Sequence, residues 1–327
     1  IYTFLGGYRA VCWTDFFQGL LMLAAVLAIP IVIVLTRKLD TAALTTVYTN
    51  LEDGTRYAFG SSLFSADWRE IVTGLSWGLG YFGMPHILVR FMSIRDAKEV
   101  KKSSIVAIVW VLLSLGAVCL IAYFGRMLIA DRLLPYGLQK TVFIALARDL
   151  FPALISGLLL AAIMAASMST ADSQLLVASS SFTSDIYKPI FRKKASDKEI
   201  LWVGRIVVLI VSAVAYAIAS GKGGGAQAIM NLVENAWGGF GAAFGPVILL
   251  SLFWRRFTYR GAIAGVIAGA ATDVAWLILL SARTGIYEIL PGFIVGGAFA
   301  VIFTLIDRQP DREITYIYDR ALAKLNN

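Results

Sequence analysis

The chain has 327 residues, of which 58% are hydrophobic and only 15% charged, with a formal net charge of +8. Its mean hydropathy is +0.75. Soluble domains carry about 25% charged residues, so the composition excludes an ordinary soluble protein and points to an all-α polytopic membrane protein. The basic residues fall in loops between apolar runs rather than on one soluble surface. That pattern excludes nucleic-acid binding and makes the lipid bilayer the expected partner.

The chain opens IYTFLGGYRA, without Met or a signal-peptide pattern, in what reads as the tail of an apolar segment. A fragment whose preceding part is absent is therefore expected. A span needs about 20 mostly apolar residues. About eight segments qualify, at roughly 12–36, 70–92, 102–129, 152–186, 200–220, 226–254, 260–281 and 286–306. Residues 1–306 thus form the membrane region, and 307–327 a short tail. Alternate loops at 1–11, 93–103, 188–199, 255–260 and 308–327 are richer in Lys and Arg than the opposite set. By the positive-inside rule they are cytoplasmic, and the C-terminus with them.

Asp15 follows Trp13 and Thr14 at the start of the first segment, and by position alone it reads as a helix N-cap. The second segment contains WGLGYFGMPHILVRFM (77–92), which Gly78, Gly80, Gly83 and Pro85 interrupt. A helix breaks inside lipid only where the freed N–H and C=O groups meet protein or a wet cavity. An interrupted span is also the best sequence pointer to the binding site of a secondary transporter. Trp77, Tyr81 and Pro85 recur at intervals of four, so they offer a small ligand an aromatic wall beside a fixed bend. An interfacial aromatic belt is the alternative, and three neighbouring glycines argue against mere anchoring. His86 is the only histidine, so nothing supports a zinc site.

The fourth segment carries AAIMAASMSTADSQLLVASSSFTSD (161–185). Ala166, Ser169, Thr170 and Ser173 stand at i, i+3, i+4 and i+7, on one helical face. Hydroxyls and reachable carbonyls there suit a hard cation such as Na⁺. Ordinary packing of small residues between membrane helices is the competing reading. Asp172 lies mid-span, where a carboxylate costs about 2.5–3.5 kcal/mol on insertion scales and usually meets a cavity or a partner. The sixth segment holds WGGFGAAFGP (237–246), either a moving gate or a tightly packed helix. Arg90, Arg205, Asp273 and Glu234 read as structural charges near span ends, the first three able to snorkel to water. Walker A, GxSxG and HExxH motifs are absent from the sequence, so it offers enzyme chemistry nothing to stand on.

YTFLGGYRAVCWTDFFQ, WGLGYFGMPHILVRFM, AAIMAASMSTADSQLLVASS, EILWVGRIVVLIV and WGGFGAAFGPVILLSLFW closely resemble the sodium–solute symporter family, in its sodium/proline branch. The resemblance runs from about residue 1 to about residue 306. It implies an inverted five-plus-five helix core with extra C-terminal helices, of which this chain would hold the last eight of about thirteen spans. The first core helix would be missing. It implies Na⁺ as coupling ion and L-proline as substrate. By resemblance, Ala166 supplies a backbone carbonyl, and Ser169 and Thr170 their hydroxyls, to sodium. Trp77, Tyr81 and Pro85 match the proline-site positions. Ser173 is implied as a further substrate-binding residue, at a position where the enterobacterial relative has Cys. Asp15 matches an acidic residue of a second sodium site in some relatives, and Asp172 departs from the enterobacterial Ser and could join it. Two rival readings remain. One keeps the family but carries another amino acid, a carboxylate, pantothenate or a sugar. The other is a membrane sensor built on a symporter-like domain.

Overall fold

The computed structural model describes residues 2–59, 66–221 and 226–326. Portions of two expected loops, 60–65 and 222–225, lie outside the described residues. The helices in chain order are α1 (Tyr2–Thr36), α2 (Ala42–Thr45), α3 (Trp68–Gly80), α4 (Pro85–Met92), α5 (Ala97–Leu133), α6 (Val142–Leu150) and α7 (Ala153–Ser181). They continue with α8 (Asp197–Gly221), α9 (Ala226–Phe253), α10 (Tyr259–Leu279), α11 (Ser281–Thr284), α12 (Ile289–Ile306) and α13 (Arg312–Asn326). The short strands β1 (Tyr48–Thr49) and β2 (Arg56–Tyr57) pair antiparallel, Tyr48 opposite Tyr57.

Seven helical stretches among the described residues are long and apolar enough to cross a membrane: Gly6–Thr36, Lys98–Tyr136, Ala153–Phe191, Asp197–Gly221, Met230–Phe253, Tyr259–Leu279 and Ile289–Ile306. They coincide with seven of the expected segments. The remaining one, 70–92, is two short helices, α3 and α4, with Tyr81–Met84 between them. Large apolar side chains such as Leu112, Leu154 and Ile267 are exposed, Leu154 by 87%. In water such a surface would drive aggregation; against acyl chains it is the required exterior.

The chain divides into two compact units. The first comprises residues 1–65 and 101–209. Its core joins Ala25, Ile29 and Ile33 of α1 to Ile121, Phe124, Ile129 and Leu133 of α5, Leu146 of α6, and Leu159 and Ala162 of α7. Gly7 adopts φ 58° and ψ −155°, a region open to glycine alone without strain, and breaks α1 near its start. The long fourth segment ends in a π-helical stretch, Phe182–Phe191, containing Pro189. Pro189 lacks an N–H, so it weakens that ladder where the chain must turn. Glu199 of α8 accepts from Tyr187 (2.8 Å) and Arg192 (3.0 Å) and ties down the turn that follows. Ser179 donates to the Gly204 carbonyl (2.7 Å) and locks α7 to α8.

The second unit comprises residues 66–100 and 210–327. Its organising feature is a pair of small-residue stripes. Gly261, Gly265 and Gly269 repeat every four residues along α10, as do Gly292, Gly296 and Ala300 along α12. A Cβ at Gly296 would lie 3.0 Å from the Gly269 Cα, and one at Gly265 would lie 2.8 Å from the Ala300 Cβ. Lipid tails are as apolar as leucine, so close backbone approach of this kind is what holds membrane helices together. Ala242 of α9 packs into the same contact, against Gly269 and Gly292.

The tail helix α13 is attached through an exposed bidentate pair. Arg255 Nε and NH2 donate to Asp319 Oδ1 and Oδ2, each at 2.7 Å. These bonds hold the Asp319 carboxyl below its ordinary range. A depressed carboxyl favours docking above the usual aspartate range, and the contribution disappears as pH falls through the lowered value. The protection factors of the α13 amides, corrected for the pH dependence of intrinsic exchange, should therefore be high at neutral pH and fall in acid. Asp319→Asn should give the acid behaviour at neutral pH.

Candidate functional site

The first group of expected site residues surrounds the helix break. Asp67 and Glu70 form a capping box that starts α3, and the helix runs to Gly80. Tyr81 caps it, Met84 is extended (φ −79°, ψ 115°), and Pro85 opens α4 at a position where its missing N–H costs nothing. The helical stripe of Trp77 and Tyr81 thus stops at the break, and Pro85 begins the next helix.

Glycines hold the break against α9. A Cβ at Gly241 would lie 2.7 Å from the Gly80 Cα, and a Cβ at Gly83 would strike the Phe240 carbonyl. Of the two readings of the WGGFGAAFGP segment, this structure displays the tight packing. Trp237 Nε1 donates to the Trp77 carbonyl (3.0 Å) in the last turn of α3. An indole thus satisfies a backbone acceptor where the helix is ending, as the absence of water in lipid requires. The Tyr81 ring meets Trp237 edge-on at 4.9 Å, and Trp77 lies 5.3 Å from Tyr287 and 6.2 Å from Trp237. Tyr81 itself is 58% exposed.

The second group lies on α7, in the first unit. The Ala166 carbonyl accepts from Ser169 Oγ (2.9 Å) and from Thr170 Oγ1 (3.3 Å). All three expected sodium ligands therefore meet at one point on the helix. Ser167 faces elsewhere, bonding to Ile163. One turn further on, buried Ser173 donates to the Ser169 carbonyl (2.9 Å) and lies 3.2 Å from Asp15 Oδ2 and 3.5 Å from Asp172 Oδ1. Asp172 is 4% exposed. Asp15, Asp172 and Ser173 are thus a single cluster across the α1–α7 contact.

Asp15 is not an N-cap. It lies well inside α1, which starts at Tyr2 and packs lengthwise on α7. Local sequence suggested a cap because Trp-Thr-Asp precedes an apolar run, but the helix was already under way. Gln18, one turn beyond Asp15, has a buried Oε1 that accepts no hydrogen bond among the described residues. Sequence reasoning passed over it, although the i, i+3 spacing from Asp15 places both on one face. Nor does Asp273 snorkel. It is 2% exposed and held inside the second unit beside Glu288.

Seven apolar spans and one fractured helix whose break is sealed by protein describe a multi-pass membrane protein of the secondary-transporter class. Comparison with known proteins specifies it further: the profile of the Sodium:solute symporter family matches residues 1–269, and the chain belongs to that family. The sodium/proline symporter of Haemophilus influenzae is 40% identical over 329 residues, covering 98% of this chain and 64% of the relative. The high-affinity proline transporter PutP of Bacillus subtilis is 41% identical over 318 residues, covering 96% and 64%. The sodium/proline symporter of Escherichia coli is 40% identical over 314 residues, covering 95% and 61%. The chain thus spans less than two thirds of the length of these relatives. A solved structure of a Na⁺-coupled sialic acid symporter, substrate-bound and outward-open, shares the fold, with a TM-score of 0.65 and 23% identity over 95% of this chain and 65% of that one.

Trp237→Phe should leave the Trp77 carbonyl without its donor while keeping most of the ring contacts. An unsatisfied buried acceptor costs about 1–3 kcal/mol, so the variant should unfold at lower temperature in detergent. Trp202→Phe, at an exposed ring, should not.

Proposed function

We propose that this chain serves sodium-coupled import of L-proline by alternating access. The observation that carries the proposal is the convergence of Ser169 Oγ and Thr170 Oγ1 on the Ala166 carbonyl. Both hydroxyl protons are donated to that carbonyl. When Na⁺ arrives, the hydroxyls rotate and turn lone pairs to the ion, and the carbonyl follows as a third ligand. The rotation gives up two weak local bonds, worth about 0.5–1.5 kcal/mol each, for stronger ion–dipole contacts. Each displaced bond is regained when sodium leaves, which suits a site that must bind and release in every cycle.

Asp15, Asp172 and Ser173 supply a second cation position, with two carboxylates contributing the counter-charge that the first set lacks. Proline is held at the helix break by Trp77 and Tyr81 around its apolar ring and by the bend set at Pro85; Ser173 is a further substrate-binding position, carried by the first unit. The positive end of the α4 dipole attracts its carboxylate. The names of the relatives support proline over the other solutes of the family, in keeping with the family resemblance carried by Trp77, Tyr81 and Pro85. Coupling arises because sodium binds the outward-open state better and shifts its population. In this reading α3 and α4 together make an eighth span within an inverted five-plus-five core, and α10 and α12 are the extra helices. The basic loops and the 307–327 tail face the cytoplasm of a cell whose plasma or inner membrane holds the protein.

In the complete transporter, Ser169→Ala or Thr170→Ala should raise the sodium concentration for half-maximal proline uptake about tenfold or more, the equivalent of one lost ligand. The order of competing solutes against labelled proline should not change. Proline uptake curves that superimpose across a sodium titration would refute the sodium assignment. Asp172→Asn should weaken sodium activation or reduce the number of sodium ions moved per proline. Unchanged uptake, affinity and stoichiometry would remove Asp172 from the site.

A further inference from the structure

The small-residue stripes of α10 and α12 both continue into an acid. Four residues beyond Gly269 is Asp273, and four residues before Gly292 is Glu288. The helices run antiparallel along these stripes, Gly261 facing Thr304 at one end and Asp273 adjoining Gly292 at the other. The geometry that brings glycine onto glycine therefore also brings the two carboxyl groups together, in a part of the contact that excludes water.

Both acids are deeply buried, Asp273 at 2% and Glu288 at 3% exposure. Asp273 Oδ1 and Glu288 Oε1 accept no hydrogen bond among the described residues. The space between them is set by Gly238 of α9. A Cβ there would lie 3.2 Å from Asp273 Oδ1, 3.4 Å from Glu288 Cγ and 3.4 Å from the Tyr287 hydroxyl. That hydroxyl has already spent its proton on the Glu234 carbonyl (2.6 Å), so it presents only lone pairs to the acids. From α9 the nearby titratable group is Glu234, another acid. From α3 comes the uncharged Trp77 ring against Tyr287. Arg69, at this end of α3, lies over the Trp68 ring and near Gly285 and makes no ion pair with either acid. The donors near this space are backbone amides, Gly238 N–H toward the Tyr287 hydroxyl and the Glu288 N–H toward its own carboxylate, and neither reaches Asp273 Oδ1 or Glu288 Oε1. Two carboxylates removed from water, each with one oxygen that accepts no hydrogen bond among the described residues, repel each other and are poorly solvated. A single added proton cures both defects, giving one donor and removing one charge.

We propose that Asp273 and Glu288 form a proton-binding site in the second unit, the two carboxyl groups sharing one proton at neutral pH. Gly238 adjoins Trp237, the residue that caps the helix break, so the proton sits one residue from the side chain that seals α3 against α9.

The test is infrared difference spectroscopy of the complete protein in lipid nanodiscs, comparing neutral with alkaline buffer in the absence of sodium. The expected result is a protonated-carboxyl C=O band at neutral pH that disappears in the Asp273→Asn, Glu288→Gln double variant. Asp15 and Asp172 remain in that variant, so subtraction isolates the pair. Should the double variant fail to fold, either single substitution replaces it, because the new amide gives the remaining carboxylate a donor and lets it ionise with loss of the band. A wild-type spectrum without such a band, or a band that persists in the variants, overturns the proposal. So does a sodium-dependent carboxylate shift in its place, which would mean that a metal ion balances the charge.

Discussion

The structure depends on one constraint: inside a bilayer, every backbone polar group must find its partner within the protein. A continuous helix meets this by itself. The break at Tyr81–Met84 does not, and it exists only because α9 comes close enough to serve it. Gly80, Gly83 and Gly241 let the two backbones approach, and Trp237 then reaches the Trp77 carbonyl. The glycines and the tryptophan are one device. Without the close approach the indole would not reach, and without the indole the end of α3 would carry an unsatisfied acceptor. The same break leaves Tyr81 exposed beside Trp237.

The two units meet the constraint differently. In the first, side chains of Ala25, Ile29, Ile33, Phe124 and Leu146 interlock in an ordinary apolar core, and hydroxyls on α7 bond back to their own helix. Those back-bonds satisfy the hydroxyls within their own helix, and in the proposed function they are the bonds that sodium would displace. In the second, glycine-on-glycine contact replaces side-chain interlocking. Contact that close tolerates no bulky side chain and admits no water. It is why the acids that extend the stripes of α10 and α12 are confined together, when either alone at a span end would reach out to solvent.

What was legible in the sequence was local. Gly78, Gly80, Gly83 and Pro85 announce a break in any helix, and the spacing of Ala166, Ser169 and Thr170 puts them on one face of any helix. Seven apolar stretches are visible by length alone. What depended on the identity of the neighbour was hidden. Asp15 looked like a cap because nothing in Trp-Thr-Asp reveals that α7 lies alongside with Ser173 and Asp172. Asp273 looked like a snorkelling charge because it is near a span end, and only the path of α12 shows that it is buried against Gly292 with Glu288 close by. A signal did exist: positions 261, 265, 269 and 273, and again 288, 292, 296 and 300, share an interval of four, and each stripe ends in an acid. Two matching stripes in consecutive spans predict contact between them, and from that contact the acid pair follows.

The central claim is that a broken helix sealed by its neighbour and a hydroxyl-lined helix act together, the one receiving proline and the other sodium. Equilibrium binding of labelled L-proline to the purified complete protein, with sodium present and with sodium replaced by an inert cation, tests it most directly. The account predicts saturable proline binding in sodium and its loss, by tenfold or more in affinity, when sodium is removed. Proline binding of equal affinity in both buffers would contradict it.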